Sequence, residues 1–349
     1  MTASQVSVRA AGLPDRFGRV ATDLRVSVTD RCNLRCTYCM PAEGMAWLPR
    51  RELLTDDELL RLIRIGIERL GVTKVRFTGG EPLIRPTLET LIAATSAMRG
   101  PDGVVPATAL TTNGIGLDRR AAGLVRAGLG RVNISLDSLD PDRFAAVARR
   151  DRLDDVLAGI DAALEAGLEP VKINAVPQRT YRDDVPELLS FCLDRGLELR
   201  FIEYMPIGAP GWSKDAVISA DDILSALGEA GYSLSEDRRP RGSAPAQRWS
   251  VTAPDGRTGR VGIIASVTRP FCGDCSRTRL TADGQIRNCL FSTRETDLRA
   301  ALRSGASDDE LIMLWQGEMW RKAEAHGSDG AHGSGEFGDS ARRMSAIGG

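Results

Sequence analysis

The run 24-LRVSVTDRCNLRCTYCMP-41 joins an apolar, β-branched stretch to three cysteines, Cys32, Cys36 and Cys39, spaced C-x-x-x-C-x-x-C. The stretch from Leu24 to Thr29 predicts a strand, which places the cysteine loop directly after a strand's carboxyl end. Three thiolates at this spacing can hold three corners of a 4Fe-4S cube and leave the fourth iron open. An open iron implies a bound small molecule. A closed electron carrier would want four cysteines, and structural zinc would want four ligands, with histidine the usual substitute. The only histidines, His326 and His332, lie in a Gly-rich tail. The plain alternative is three cysteines that share a loop or form a transient disulfide.

A second triplet stands far along the chain. Cys272 and Cys275 form C-x-x-C, and Cys289 follows in the same hairpin-like segment, FCGDCSRTRLTADGQIRNCLF. A thioredoxin-type C-x-x-C would sit at a strand-to-helix junction and would not need Cys289. The seventh cysteine, Cys192 in LLSFCLDR, falls on the apolar face of a helix pattern and reads as a small core residue.

Around these triplets the chain alternates strand and helix. LRVSVT, VTKVRFT, ATALTT, RVNISLD, VKINAV and LRFIEY are predicted strands. One intervening helix opens at a capping box, Thr55 with Glu58, and carries Leu59, Ile63, Ile67 and Leu70 on one face. Another runs from Val156 through Ile160 and Leu164 to Gly167, and a third starts near Pro186 and ends at Gly196. Six such units fit a parallel sheet with helices outside, as an incomplete barrel or an open doubly wound sheet. After Met205 the rhythm changes. A helix near Asp221 to Ala230 precedes a polar segment at 236–247, expected to be a surface loop or mobile linker; short strands and a Ser307/Glu310-capped helix from Asp308 to Ala325 follow. The Gly/Ser-rich stretch after His326 is expected to be flexible. The expected division is 1–235 and 236–349.

With 349 residues, 42% hydrophobic and 27% charged, the chain can bury a large core. A formal net charge of -1 gives no global basic field for nucleic acid. Arginines interrupt every apolar run before membrane-spanning length, and the amino terminus lacks an apolar signal region, which together with free thiols points to the cytoplasm.

Ligands of parallel sheets bind beyond the carboxyl ends of the strands. There, after the second strand, lies Gly79-Gly80-Glu81-Pro82, either a tight turn or a place where backbone carbonyls and the carboxylate receive a ligand ammonium group. The cations add a second clue. Of four lysines, Lys74 and Lys172 fall inside predicted strands, where a charge is costly unless paired. Lys74 and Arg76 share one strand face, as do Arg277 and Arg279. With Arg25 and Arg200 they form a set of strand-borne cations that suggests a polyanion such as a nucleoside triphosphate.

The cysteine motif with Tyr38, followed by GGEP, resembles the radical S-adenosylmethionine superfamily. The finer pattern, LTTNG, NISLDSL, VKIN, RFIEYM, FCGDCSRTRL and the terminal MSAIGG, resembles the GTP 3′,8-cyclase family, which opens molybdenum-cofactor biosynthesis. The resemblance implies an α/β fold, an incomplete (β/α)6 TIM-type barrel whose lateral opening is closed by a C-terminal α+β region, and two 4Fe-4S clusters. The first, on Cys32, Cys36 and Cys39, would bind S-adenosyl-L-methionine, with Tyr38, Gly80, Ser135 and Met205 as contacts. The second, on Cys272, Cys275 and Cys289, would bind guanine. By the same resemblance Arg25, Arg76, Thr111, Lys172, Arg277, Thr278 and Arg279 hold GTP; Lys74 and Arg200 join them by strand position. A 5′-deoxyadenosyl radical would take hydrogen from C3′ of the ribose, and C3′ would close on C8. No histidine base is expected in the folded core. Gly348 and Gly349 are expected to thread into the active site. A low-potential donor such as a flavodoxin or ferredoxin, hand-over to cyclic pyranopterin monophosphate synthase, and room for a homodimer complete the partners. The rival readings are a peptide-modifying radical enzyme with an auxiliary cluster and a non-catalytic iron-sulfur carrier or sensor.

Overall fold

A computed structural model describes residues 12–207, 212–239, 241–326 and 342–348. The first half alternates strand and helix as β1 (Asp23–Ser27), α1 (Asp56–Arg64), β2 (Lys74–Thr78), α2 (Leu88–Ala97), β3 (Ala107–Thr112), α3 (Leu117–Arg126), β4 (Arg131–Ser135), α4 (Pro141–Ala148), α5 (Leu153–Glu165), β5 (Val171–Ala175), α6 (Asp184–Asp194) and β6 (Glu198–Ile202). Then come α7 (Ala220–Glu229), β7 (Ser233–Glu236), β8 (Gln247–Thr252), β9 (Thr258–Ile264), β10 (Arg277–Leu280), β11 (Gln285–Arg287), β12 (Thr296–Asp297), α8 (Leu298–Arg303), α9 (Asp308–Trp320) and α10 (Met344–Ile347).

Local chemistry sets the helix limits. Thr55 Oγ1 accepts from the Glu58 amide and Glu58 returns the bond to the Thr55 amide, the reciprocal cap expected for α1. Leu59, Leu62 and Ile63 of α1 and Ile67 and Leu70 beyond it are buried, but the helix widens to a π-type turn over Ile65–Arg69. The helix after Val156 buries Ile160 as expected; Leu164 instead turns to solvent at 36% exposure. α9 stops at Trp320 rather than Ala325, which leaves residues 321–326 as a loop. Cys192 is fully buried in α6.

Among the described residues, twelve strands share one sheet in the order β12-β11-β10-β1-β2-β3-β4-β5-β6-β9-β8-β7. From β10 through β9 every neighbouring pair is parallel, so the six βα units form a curved, incomplete barrel and C-terminal strands extend both of its edges. The 235/236 boundary falls inside β7. Among the described residues, no helix is long and apolar enough to cross a membrane.

Register decides what faces the barrel interior. Arg279, Arg25, Arg76, Ala109 and Arg131 are paired in turn across β10, β1, β2, β3 and β4. Side chains alternate along a strand, so this row sets four guanidinium groups side by side on one face.

Candidate functional site

One cavity of about 1200 Å³ fills the barrel interior, and all six cysteines of the two triplets line it. That volume exceeds the usual range for a single small-molecule pocket, about 300–1,000 Å³, and leaves room for two ligands. Cys32, Cys36 and Cys39 follow the carboxyl end of β1, whereas Cys275 lies just before β10, whose first residue pairs with Asp23 at the amino end of β1. The triplets thus occupy opposite mouths of the barrel, separated by about the length of a five-residue strand, roughly 16 Å at 3.3 Å per residue. The first triplet stands beyond the carboxyl ends of the strands, and the second stands at the amino ends.

The first triplet is deeply set. Burial pushes the Cys32 thiol up to about 11 and Cys39 to about 12. The Asn113 amide approaches Cys32 Sγ at 3.9 Å, and the Ser345 backbone N–H donates to Cys39. Tyr38 Oη donates to Asp137 at 2.8 Å, while the other Asp137 oxygen accepts from the Val176 amide at 2.8 Å. Gly80, Ser135 and Met205 line the same cavity. Gly80 is required locally, since a Cβ there would collide with the Asp30 and Arg31 carbonyls. This contact seats the loop that carries the cysteines.

Glu81 corrects the expectation that its carboxylate meets a ligand ammonium. It is buried and accepts from the Leu83 amide at 2.9 Å, Thr112 Oγ1 at 2.7 Å and the Asn113 amide at 2.6 Å, pinning the end of β2 to that of β3. Burial outweighs these donors and raises its pKa to about 7.

At the second triplet, Cys272 and Cys275 bracket a single 3-10 turn, and the antiparallel hairpin of β10 and β11 brings Cys289 to the same end. Burial pushes Cys275 up, but the Arg277 and Lys322 cations outweigh it and bring the thiol down to about 6. Arg277 Nε and Nη2 each lie 3.3 Å from Cys275 Sγ, and Lys322 Nζ lies 3.1 Å from it. A half-buried histidine stands here, where no histidine base is expected in the folded core from the sequence. His326 Nδ1 sits 3.2 Å from Cys272 Sγ and its ring stacks on Phe291 at 4.5 Å. The chain returns to the barrel after α9, which its Gly-rich surroundings concealed. His332 lies outside the described residues. Among them, no three His, Cys, Asp or Glu side chains converge on a point suited to a single metal ion.

Between the triplets runs the arginine row. Burial, then the Arg25 cation beside it, lowers Arg76 to about 9, and burial drives Arg279 well down. Among the described residues, the Nε atoms of Arg25, Arg76 and Arg131 have no hydrogen-bond partner. Thr111 Oγ1 is 3.4 Å from Arg76 Nη1. Other expected cations differ. Lys74 lines the cavity from an exposed position, because it stands at the open start of β2. Lys172 and Arg200 share Glu198, at 2.5 Å and 3.0 Å, and of the two only Arg200 is part of the cavity lining, whereas Lys172 is held back by the carboxylate. Burial first, then the Arg200 cation, lowers Lys172 to about 8. Thr278 is not brought into the cavity by its side chain. Strand alternation turns it away from Arg277 and Arg279, and its hydroxyl accepts from Trp315 Nε1 at 3.0 Å.

Sequence reasoning missed Arg131, although it shares strand parity with Ser135, and it missed residues 241–245, which line the cavity rather than lying on an outer surface. From the tail, α10 delivers Gly348 to the interior, where Arg279 donates to its carbonyl. Gly349 lies outside the described residues.

Comparison with known proteins agrees with this geometry. Residues 26–192 match the family described as Radical SAM superfamily, and residues 197–328 match Molybdenum Cofactor Synthesis C. The chain is 57% identical over 342 residues to a GTP 3′,8-cyclase of Corynebacterium glutamicum, covering 97% of this chain and 89% of that protein. It is 56% identical over 340 residues to the GTP 3′,8-cyclase of Mycolicibacterium smegmatis, covering 97% and 92%. Among solved structures, Streptococcus suis SuiB has the same fold at a TM-score of 0.57 and 16% identity, over 84% of this chain and 65% of SuiB.

Proposed function

This chain belongs to the GTP 3′,8-cyclase family of radical S-adenosylmethionine enzymes, and on that premise we propose that it converts GTP to (8S)-3′,8-cyclo-7,8-dihydroguanosine 5′-triphosphate, the first step of molybdenum-cofactor biosynthesis. The observation that carries this reading is the single cavity with a cysteine triplet at each mouth and an in-register arginine row between.

The residues suit the implied groups. Lys322 is buried and, among the described residues, forms no ion pair with a carboxylate; its nearest anionic partner is Cys275. Burying an ammonium group is costly without a countercharge, so the site favours Cys275 as a thiolate, the state a cluster ligand requires. The arginine row meets one carboxylate, Asp23, which faces Arg25 and Arg76 from the amino end of β1; among the described residues that leaves most of its charge unmatched, and a triphosphate supplies the rest.

In this reading Cys32, Cys36 and Cys39 hold one 4Fe-4S cluster within 1–235, and Cys272, Cys275 and Cys289 hold another within 236–349. Tyr38, Gly80, Ser135 and Met205 flank S-adenosyl-L-methionine. Arg25, Lys74, Arg76, Arg200, Arg279 and Thr111 take the nucleotide, with Arg131 added to the row. Lys172 serves next to Glu198, Arg277 serves the nucleotide from beside Cys275, and Thr278 has only its backbone to offer. The chemistry supplied by the first cluster with its cofactor is reductive formation of a carbon radical able to take hydrogen from the ribose C3′. The chain's part is to hold both ends of the nucleotide so that C3′ faces that radical, and to keep water out. We also infer cytoplasmic action, a flavodoxin- or ferredoxin-like donor, hand-over of product to cyclic pyranopterin monophosphate synthase and a homodimer.

Anaerobic incubation with GTP, S-adenosyl-L-methionine and a reductant, followed by mass spectrometry, tests the reading. The cyclised triphosphate is expected with 5′-deoxyadenosine; 5′-deoxyadenosine without it would overturn the assignment of GTP. Two clusters also require about eight irons per chain. Cys192→Ala should leave that number unchanged, because this thiol is enclosed in α6. A fully reconstituted chain holding about half as much iron would contradict the second cluster.

The cation row gives a further prediction. Arg25→Ala and Arg131→Ala should each weaken GTP binding by about 1–3 kcal/mol, the range for lost charge-assisted hydrogen bonds, and guanosine binding much less. Lys172 is protonated below its lowered pKa of about 8 and neutral above it. GTP affinity should therefore fall as pH rises through 8, and Lys172→Met should flatten that part of the profile. Calorimetry with equal losses for guanosine and GTP would remove these residues from the phosphate site.

A further inference from the structure

Lys322 is the one lysine driven into the interior from the C-terminal region, at 3% exposure. Its Nζ lies 3.1 Å from Cys275 Sγ, 3.3 Å from the Cys275 carbonyl and 3.0 Å from the Arg277 carbonyl. An ammonium group has three protons, and three acceptors are present. The loop that carries it is fixed from behind. Arg19, itself paired with Asp15, donates to the carbonyls of Ala323, Glu324 and Cys272 at 2.5, 2.7 and 2.8 Å. Lys322 is therefore aimed at one sulfur by a built support, and Arg277 reaches the same sulfur with two N–H groups.

The two triplets differ in this respect. Among the described residues, the donors to sulfur on the first are neutral, including the Asn113 amide and the Leu34 backbone at Cys32 and the Ser345 backbone at Cys39, while Arg35 and Arg343 act on Cys32 and Cys39 as neighbouring charges. On the second, Cys275 meets two cations. N–H···S bonds and nearby positive charge withdraw density from a thiolate, which favours an added electron on the cluster and leaves an open iron a better acceptor for a donor atom. Reduction of a 4Fe-4S centre by one electron adds one negative charge and needs no proton, so a fixed cation beside a ligand acts directly on that step.

Resting on the two-cluster reading, we propose that Lys322 is a positioning residue for the second cluster that raises its reduction potential through the Cys275 sulfur. The group neither touches the reacting ribose nor transfers a proton. It fixes how readily the second centre accepts an electron in a cavity that also contains the radical-generating site.

The test is a redox titration followed by electron paramagnetic resonance, with dithionite as reductant and mediators for equilibration. It uses the full-length chain carrying Cys32→Ala, Cys36→Ala and Cys39→Ala, so that only the second cluster reports. In this background Lys322→Met should keep about four irons per chain. Its reduced-to-oxidised ratio at a fixed potential should fall at least tenfold, a midpoint about 59 mV more negative for a one-electron couple. Lys322→Arg, which keeps the charge, should hold the midpoint close to that of the Lys322-intact background. If the Met variant does not retain the cluster, Lys322→Gln takes its place, since it keeps a polar side chain with N–H donors while the charge is gone, and the same shift is expected. A midpoint unchanged in the variant that retains iron overturns the proposal. So does lower iron content with an unmoved midpoint in what remains, the mark of a mere tether. A Lys322-intact background that takes up no cluster refutes the two-cluster reading itself, and this inference with it.

Discussion

Cys32→Ser is expected to reduce 5′-deoxyadenosine formation to background, whereas Cys272→Ala is expected to spare most of it and lose the cyclised product about 100-fold. The split follows from where the triplets stand. Cys32 belongs to the mouth at the carboxyl end of β1, beside Tyr38, Gly80 and Ser135, where the proposed cofactor site lies. Without one of three thiolates that cluster has too few ligands to remain intact, and no radical is formed. Cys272 belongs to the opposite mouth, about a strand length away, and its proposed task is to seat the base. Losing it leaves radical formation available but lets the nucleotide shift, and a misplacement of about 1 Å can cost about 100-fold in rate. Quantifying 5′-deoxyadenosine and product in the same reaction separates the two. Equal losses of both in the two variants would refute the division of labour.

The strands were legible because each joins β-branched residues to a clear boundary, and all six predicted strands appear within a residue or two of their expected limits. Periodicity alone left barrel and open sheet equivalent. Curvature depends on how β10 and β9 flank β1 and β6, pairings that join residues far apart in sequence and leave no local period. The cysteine triplets were legible for the opposite reason, since their spacing is local. That they face each other from opposite mouths was not, because it depends on β10 running parallel beside β1.

Two further misses had a local signal. Glu198 stands across from Lys172 in register and on the same strand face as Arg200, so two cations counted as open to a ligand already share a carboxylate. Thr278 lies between Arg277 and Arg279, and alternation alone assigns its side chain to the other face. The segment at 241–245 shows the limit of composition. Polar, Gly-containing sequence suits a lining over charged ligands as well as it suits an outer surface, and only the fold distinguishes them. His326 belongs with it, because nothing in its Gly-rich neighbourhood records that Arg19 fastens the preceding residues against Cys272.

Deleting Gly348 and Gly349 is expected to lower cyclisation about 100-fold while iron content and S-adenosylmethionine cleavage stay within a few-fold of the parent, a loss of the size that misplaced groups produce. Arg342 first anchors the tail, pairing with Asp283 and Glu295 at 2.8 and 2.7 Å. α10 then buries Ile347 and ends at Gly348, whose φ of +83° is open to glycine and strained for other residues. A Cβ at this position would collide with Ser27 Oγ of β1 and crowd Thr78 of β2, so no larger residue fits between the strands. The Gly348 carbonyl accepts from Arg279, a guanidinium that burial and its neighbours Arg25 and Arg277 leave short of countercharge. Removing that acceptor frees one end of the arginine row to reorient, and the nucleotide loses its alignment with it. Gly348→Val should reproduce the loss in a chain of full length, since the bulk rather than the shortening expels the tail. Undiminished product from both variants would make this segment an ordinary terminus and leave Arg279 to be oriented by the barrel alone.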